Sequence, residues 1–508
     1  MFLLQRQALT LSFNGLRAKA LCRNIYQKTA ETAAYNRNNR STLMRYVIGV
    51  VGVSGVGGGI LYYYLQGERQ QTYNSSSLND NDDERMRINP IIRSPREATT
   101  KLRENQVSFS LQRNNGVWKY ESNQLGSNYP IEDMKSVNFE YPNSEKSAFG
   151  DRLFFGIYDG HSGWNTSKLL SEKLIPRVIK HLDKAIEGYG EYSNLISNKQ
   201  ELTKKAIEKA FVEVDEDILI YSTNRLLNIS PKPDEGLNYI DENLLSAFAG
   251  SCAILAYIDT TDKGLYIACT GDSRAVLGVK DDDEKGGKKW KAVALSEDQT
   301  GRSEKEVKRL NKEHPGEEGN IIINGRIFGG LEPTRSFGDS KYKWNMKMQE
   351  AVFTKFFKIR RGLPGGSRNK TPPYLTARPE VTYHKLTEND KFLVIASDGL
   401  WDELSNEEVI ELVGKLLEGK RDMINEEKNN FSEDELKYEN NMQEKVFTFV
   451  DENASTHLIR NALGGAKQDL LCALLSLPSP ISRRFRDDIT VTVVFFGPDY
   501  QTNIKELQ

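Results

Sequence analysis

Leu153-Phe154-Phe155-Gly156-Ile157-Tyr158 runs directly into Asp159-Gly160-His161, and Phe392-Leu393-Val394-Ile395-Ala396 runs into Ser397-Asp398-Gly399. Each apolar run is short, rich in aromatic and β-branched residues, and closed by a turn-forming pair, which reads as a buried strand. Such a strand delivers a carboxylate to the end of a sheet. The device recurs where Asp487-Asp488 precede Ile489–Phe496 (ITVTVVFF) and where Glu132-Asp133 follow Pro130-Ile131. Ala253–Tyr257, Leu265–Cys269 and Arg274–Val279 also read as strands, with Gly271-Asp272-Ser273 as a hairpin turn between the last two. Helical periodicity marks Thr166–Lys180, Lys204–Leu219 (Ile207, Phe211, Val214 and Ile218 on one face), Glu407–Leu417 and Ala454–Leu463. Ser303-x-x-Glu306 has the capping-box spacing that opens a helix. Clustered strands with helices between the clusters predict an α+β fold: two packed, mostly antiparallel β-sheets flanked by helices.

The 508 residues suit one large catalytic domain with appendages. Lysine and arginine total 69 against 71 acids, so no global basic excess points to nucleic acid. Four cysteines without a CxxC pair exclude a disulfide framework and a cysteine-rich zinc module, and five histidines argue against a histidine-rich centre. Any metal here is expected to be hard and oxygen-ligated.

The near-neutral total hides an asymmetry. Residues 1–45 carry eight basic groups (Arg6, Arg17, Lys19, Arg23, Lys28, Arg37, Arg40, Arg45) against one acid, Glu31, a net of +7 that leaves −9 on the rest. This arm reads as a mitochondrial presequence. Residues 46–67 are uncharged, with Tyr46 and Tyr62–Tyr64 at the ends. As a helix they would extend about 33 Å, so a single transmembrane span in the inner membrane is expected. Residues 68–106 read as a flexible linker, 107–498 as the catalytic domain and 499–508 as a tail. Within the domain, 345–370 (basic and loop-like) and 418–447 (charged, asparagine-rich) read as insertions.

An isolated Asp-Gly after a strand is usually only a turn. The repetition carries more, because carboxylates gathered at strand ends repel one another unless a cation holds them. One copy also has His161 directly beside it.

Here the sequence resembles a known family. Glu132-Asp133, the FGIYDGH stretch ending at His161, Ala249–Ala253, Thr270–Arg274, Arg335–Asp339, Val394–Asp402 and Arg486–Val491 stand in the order and spacing of the type 2C metal-dependent serine/threonine protein phosphatases. Within that family the likeness is greatest to the mitochondrial pyruvate dehydrogenase phosphatases, through Ser122–Leu125, Thr371–Thr376, Pro379–His384 and Ala454–Arg460.

The resemblance implies two Mg²⁺ or Mn²⁺ ions, with a place for a third, and direct attack of an activated water on phosphoserine or phosphothreonine. It implies that Asp159 bridges both ions, that Asp398 and Asp487 complete one site and that the Gly160 carbonyl joins the other. Glu132 and Asp133 would reach the ions through water, Asp272 and Asp339 would hold the labile ion or support the site, and His161 would be the general acid. Most of the family has an arginine that binds substrate phosphate four residues before the first glutamate; here that position is Asn128, as in the pyruvate dehydrogenase phosphatase branch. The implied substrate is the phosphorylated E1α subunit of pyruvate dehydrogenase. Other phosphoproteins of the intermembrane space are the alternative, since a presequence followed by an apolar span can stop transfer there.

Rival readings fare worse. A cysteine-dependent phosphatase needs five residues between its cysteine and arginine, whereas Cys269 and Arg274 have four, and the glycine-rich, VAIK, HRD and DFG elements of a kinase are missing. A catalytically dead scaffold is disfavoured because every core carboxylate position is filled. His181, His314, His384 and His457 read as structural, Trp401 as packing, and Cys252 and Cys472 as buried apolar groups.

Overall fold

In the computed structural model, residues 94–111, 113, 115–141, 150–187, 192–228, 242–282, 288–357, 368–422 and 445–497 are described. In chain order the strands are β1 (Val107–Ser110), β2 (Val117–Leu125), β3 (Met134–Glu140), β4 (Arg152–Tyr158), β5 (Gly160–His161), β6 (Gly250–Ser251), β7 (Ala253–Asp259), β8 (Gly264–Thr270), β9 (Arg274–Asp282), β10 (Lys288–Ala294), β11 (Ile322–Ile323), β12 (Arg326–Ile327), β13 (Phe337–Gly338), β14 (Glu380–Lys385), β15 (Asp390–Ala396) and β16 (Ile489–Phe496). They form a six-stranded sheet in the order β1-β2-β16-β15-β9-β10 and a five-stranded sheet in the order β14-β8-β7-β4-β3, with a three-stranded patch β13-β6-β5 and a small β11-β12 hairpin. Every pairing within the two large sheets is antiparallel.

The apolar runs are continuous because both faces of the central strands are covered. Leu153, Phe155 and Ile157 of β4 meet Leu393 and Ile395 of β15 and Val494 of β16 between the sheets. The alternate residues Phe154 and Tyr158 face outward onto helices α2 (Asn165–Glu187) and α3 (Tyr192–Asn228). On the other side Phe392, Val394 and Ala396 face helices α9 (Asn406–Leu417) and α10 (Ala454–Ala462). The layering is thus helix, sheet, sheet, helix, the α+β sandwich that the strand pattern predicts.

The structure corrects four readings. Part of the 68–106 stretch read as linker is folded: Ser94 caps helix α1 (Pro95–Arg103), whose Ala98 and Leu102 lie in the core. Gly271-Asp272-Ser273 does not close a hairpin; β8 and β9 belong to different sheets, and Gly271, at φ 106°, lets the chain cross between them. Ser303 starts helix α5 (Glu304–Glu313) without its side chain capping it, because Glu306 is turned inward onto Arg335 and Arg309. Residues 346–357 of the proposed 345–370 loop are helix α7 (Met346–Phe357). The remaining helices are α4 (Glu242–Phe248), α6 (Ser340–Lys343), α8 (Asp398–Trp401) and α11 (Gln468–Ser476).

The stretches read as a presequence (1–45), a span (46–67) and a tail (499–508), and most of 418–447, lie outside the described residues. Among the described residues no helix is long and apolar enough to cross a membrane.

Candidate active site

The site is assembled where strands of both large sheets end together. After β4 the chain passes through Asp159 into β5, which pairs with β6, which in turn pairs with β13. Cys252 N–H donates to the Asp159 carbonyl at 2.8 Å and fixes this crossing. Gly250 is the middle of the patch, opposite His161 on one side and Gly338 on the other. Nε2 of His161 meets Oδ2 of Asp339 at 2.6 Å directly above it. A Cβ on Gly250 would overlap both groups, so only glycine permits the pair. Burial alone would lower the His161 pKa, but the charge and hydrogen bond of Asp339 hold it above the ordinary value. Asp339 itself has left-handed backbone (φ 49°), and its Oδ2 also accepts from Ser336 Oγ at 2.8 Å.

The second half of the site comes from the six-stranded sheet. β15 and β16 are paired, and at their ends Ser397 N–H donates to the Thr490 carbonyl at 3.1 Å. This brings Asp398 beside Asp487-Asp488, so closely that a Cβ on Gly399 would overlap the Asp488 carbonyl. The glycine after Asp159 has a like reason: a Cβ on Gly160 would overlap the Glu132 carbonyl. In both Asp-Gly pairs the glycine admits a neighbouring chain segment.

Asp133 and Glu132 close the ring. Asp133 Oδ2 accepts from Ser397 Oγ at 2.8 Å and Thr490 Oγ1 at 2.7 Å, while its Oδ1 is buried without a hydrogen-bond partner. Glu132 Oε1 accepts from Gly163 N at 2.7 Å. Burial, reinforced by Asp488, pushes the Glu132 carboxyl up to about 7. The loop that carries both acids is held by Asp488, whose Oδ1 accepts from Ser127 N at 2.5 Å and Asn128 N at 2.9 Å and whose Oδ2 accepts from Glu132 N at 2.8 Å. Asn128 uses its own amide inside this loop, on Glu132 Oε2 at 3.2 Å and Asp488 Oδ2 at 3.3 Å.

The acids feel one another strongly. Burial first, then Asp398, Asp133, Asp487 and Asp272 raise the Asp159 pKa well above the usual carboxylate range. Burial and Asp487 do the same to Asp398. Burial raises Asp487, against the opposing pull of Arg483. Asp272, which accepts from Cys252 Sγ at 3.2 Å, is pushed up to about 6 chiefly by burial. Among the described residues no three of these side chains close on one point as direct ligands of a single ion would. They lie close together at the joint ends of the two sheets, and the buried Oδ1 atoms of Asp133 and Asp339 have no hydrogen-bond partner. Mg²⁺ and similar ions keep several waters and take few direct carboxylates, so this spread of oxygens fits hydrated hard cations.

Several functional groups escape a linear reading. Asp488 is the clamp of the acidic loop, Gly250 is the floor of the His161–Asp339 pair, and Cys252 is a donor to Asp272 and not only an apolar filler. Arg483, four residues before Asp487, is a cation paired with Asp487 Oδ2. A pair of consecutive acids before β16 was a signal for Asp488; the others become visible only when the strands are brought together.

Comparison with known proteins agrees with this architecture. The protein phosphatase 2C family profile matches residues 130–443. A protein phosphatase 2C homolog of Schizosaccharomyces pombe is 41% identical over 401 residues, covering 78% of this chain and 84% of the relative. The mitochondrial [pyruvate dehydrogenase [acetyl-transferring]]-phosphatase 1 of Saccharomyces cerevisiae is 36% identical, covering 80% of this chain and 73% of the relative. The human mitochondrial [pyruvate dehydrogenase [acetyl-transferring]]-phosphatase 2 is 35% identical, covering 76% and 79% respectively. With paired antiparallel sheets delivering the acids of its signature segments to one opening, the chain belongs to the protein phosphatase 2C family and is a protein serine/threonine phosphatase.

Proposed function

We propose that the chain is a Mg²⁺- or Mn²⁺-dependent phosphatase of mitochondria that removes phosphate from the E1α subunit of pyruvate dehydrogenase. The observation that carries the chemistry is geometric: Gly160 packs on the Glu132 carbonyl while Asp133 accepts from Ser397 and Thr490, which brings Asp159, Asp398 and Asp487 to the joint ends of two sheets. Asp159, Asp398, Asp487 and the Gly160 carbonyl are the groups to hold two ions, Glu132 and Asp133 would reach them through water, and Asp272 offers an oxygen to a third. When bound, two such ions lower the pKa of a water and neutralise charge on the phosphoryl oxygens.

The chain's own residues supply the rest. His161 gives its proton to the departing seryl or threonyl oxygen, a contribution of ~10²–10⁴-fold. Asp339, bound to His161 Nε2, orients the ring and favours its protonated form, so its role is to position the acid. Asp488 keeps Glu132 in place through the backbone.

The substrate and compartment are supported by the relatives named mitochondrial pyruvate dehydrogenase phosphatases, together with the basic arm at 1–45. The uncharged stretch 46–67 is proposed as an inner-membrane anchor, which makes an intermembrane-space phosphatase acting on other phosphoproteins the second reading. Protease treatment of mitoplasts separates the two. A domain protected until the inner membrane is dissolved supports action on matrix pyruvate dehydrogenase; digestion once the outer membrane is opened contradicts it. Phosphate release from phospho-E1α by purified protein with Mn²⁺, abolished by Asp159→Asn, tests the activity itself.

A further inference from the structure

The ring of acids poses a problem for the substrate. A phosphate monoester carries up to two negative charges into an opening lined by Asp159, Asp398, Asp487, Asp133, Glu132 and Asp272. Two divalent ions would offset four of those six carboxylate charges, and a third would only bring the set to neutrality, so the incoming dianion calls for a cationic group of its own. Asn128 cannot correct this: its amide is spent on Glu132 and Asp488, and it carries no charge.

We propose that Arg483 is the cationic group that binds the substrate's phosphate, a role resting on the phosphatase reading above. Arg483 lies in the short 3-10 turn Ser482–Arg484. That turn is fixed to the acidic loop: Ser482 Oγ donates to the Ser127 carbonyl, and Phe485 N and Arg486 N close onto the Ser482 carbonyl at 2.9 and 3.0 Å. These bonds hold the turn that carries Arg483 against the loop that carries Asn128 and Glu132. Its Nη1 pairs with Asp487 Oδ2, and Asp398, Asp488 and Glu132 lie within its electrostatic reach. The side chain remains 43% exposed, so part of it is open to an incoming group. A planar fork with five donors can engage a carboxylate on one side and a phosphate oxygen on another. Asp487 would then aim the fork while Arg483 meets the phosphate.

Two buried cations nearby are less suited. Arg486 is buried, with Nε and Nη1 lacking any hydrogen-bond partner, and so sits beneath the surface a phosphoprotein could reach. Lys341 is buried on the His161–Asp339 side, its Nζ 5.1 Å from the Tyr342 ring centre.

The test compares wild type, Arg483→Ala and Arg483→Lys, each with Mn²⁺. Inorganic phosphate affinity is measured by calorimetry, Mn²⁺ stoichiometry by equilibrium dialysis, and kcat and KM on a phosphoseryl peptide. Charge-assisted hydrogen bonds of this kind are worth roughly 10–100-fold in affinity. Arg483→Ala is expected to weaken inorganic phosphate by that factor and to raise KM for the peptide, with the Mn²⁺ stoichiometry of wild type retained. Arg483→Lys should recover part of the loss, because it restores charge without the fork. Unchanged phosphate affinity in Arg483→Ala overturns the proposal. So does a loss of Mn²⁺ binding that fully accounts for the phosphate loss, since Arg483 would then only position Asp487. Should Arg483→Ala not fold, Arg483→Gln carries the same comparison. If wild type itself releases no phosphate, the phosphatase reading fails first; an active wild type with an indifferent Arg483→Ala defeats only this inference.

Discussion

His161 and Asp339 meet at 2.6 Å across a residue that has no side chain, and the absence of that side chain is what lets them meet. Gly250→Ala is expected to push the imidazole off Asp339. Overpacking costs about 1–3 kcal/mol of stability. The larger effect falls on catalysis, with kcat on a phosphoseryl peptide reduced by ~10²-fold. p-Nitrophenyl phosphate, whose leaving group needs little protonation, should suffer much less. Equal losses on both substrates would show that His161 is not protonating the leaving group.

Asp488 is fixed by backbone: Ser127, Asn128 and Glu132 all donate their N–H groups to it. Asp488→Ala leaves these buried donors unsatisfied, a cost on the order of 3 kcal/mol in urea unfolding. Because Glu132 rides on this loop, Mn²⁺ affinity should fall as well. Asp488→Asn keeps one acceptor and should fall between wild type and the alanine variant.

The strand-to-carboxylate pattern was legible because β4, β15 and β16 are buried on both faces and write continuous apolar runs. The strands β2, β3, β10 and β14 were not, since their exposed or polar-lined faces break that signal. β2 shows why. Its buried Asn123 donates to the Leu102 carbonyl and to Thr456 Oγ1, and Ser455 Oγ donates to the Glu121 carbonyl. Ser122–Leu125 and Ala454–Arg460, which mark the pyruvate dehydrogenase phosphatase branch in the sequence, are thus one docking joint between β2, α1 and α10. Their polar residues look like surface in a linear reading and are buried only because those helices cover them.

That joint contains a buried ion pair. Arg460 lies between Asp451, at 3.0 Å from Nη2 to Oδ1, and Thr99 of α1. Asp451→Ala strands a buried guanidinium, so a loss of about 3–5 kcal/mol is expected. Hydrogen exchange should show α1 losing protection first. Protection loss spread evenly over the sheets would contradict this placement of the joint.

Two groups away from the acidic site add to the response to acid. Burial alone would raise Glu306, but its hydrogen bonds to Arg335 and Arg309 lower it to about 2. Its contribution is therefore present above the unfolded value near 4.5 and disappears as pH falls toward 2. His457 is pushed down to about 4 by burial, so the unfolded chain takes up its proton first and stability falls as pH drops from about 6.5 toward 4. Each window is worth on the order of 3 kcal/mol. His457→Asn should flatten the upper window and Glu306→Gln the lower one in urea titrations; coincident profiles for all three proteins would refute the assignment.

Everything at the opening rests on acids from both sheets sharing hard cations. Equilibrium binding of Mn²⁺ to the purified domain, followed with thermal unfolding, examines this most directly. Two ions per chain, a melting temperature that rises with Mn²⁺ concentration, and loss of both effects in Asp159→Asn are predicted. A wild type that binds no Mn²⁺, or an Asp159→Asn variant that binds it as well as wild type, would contradict it.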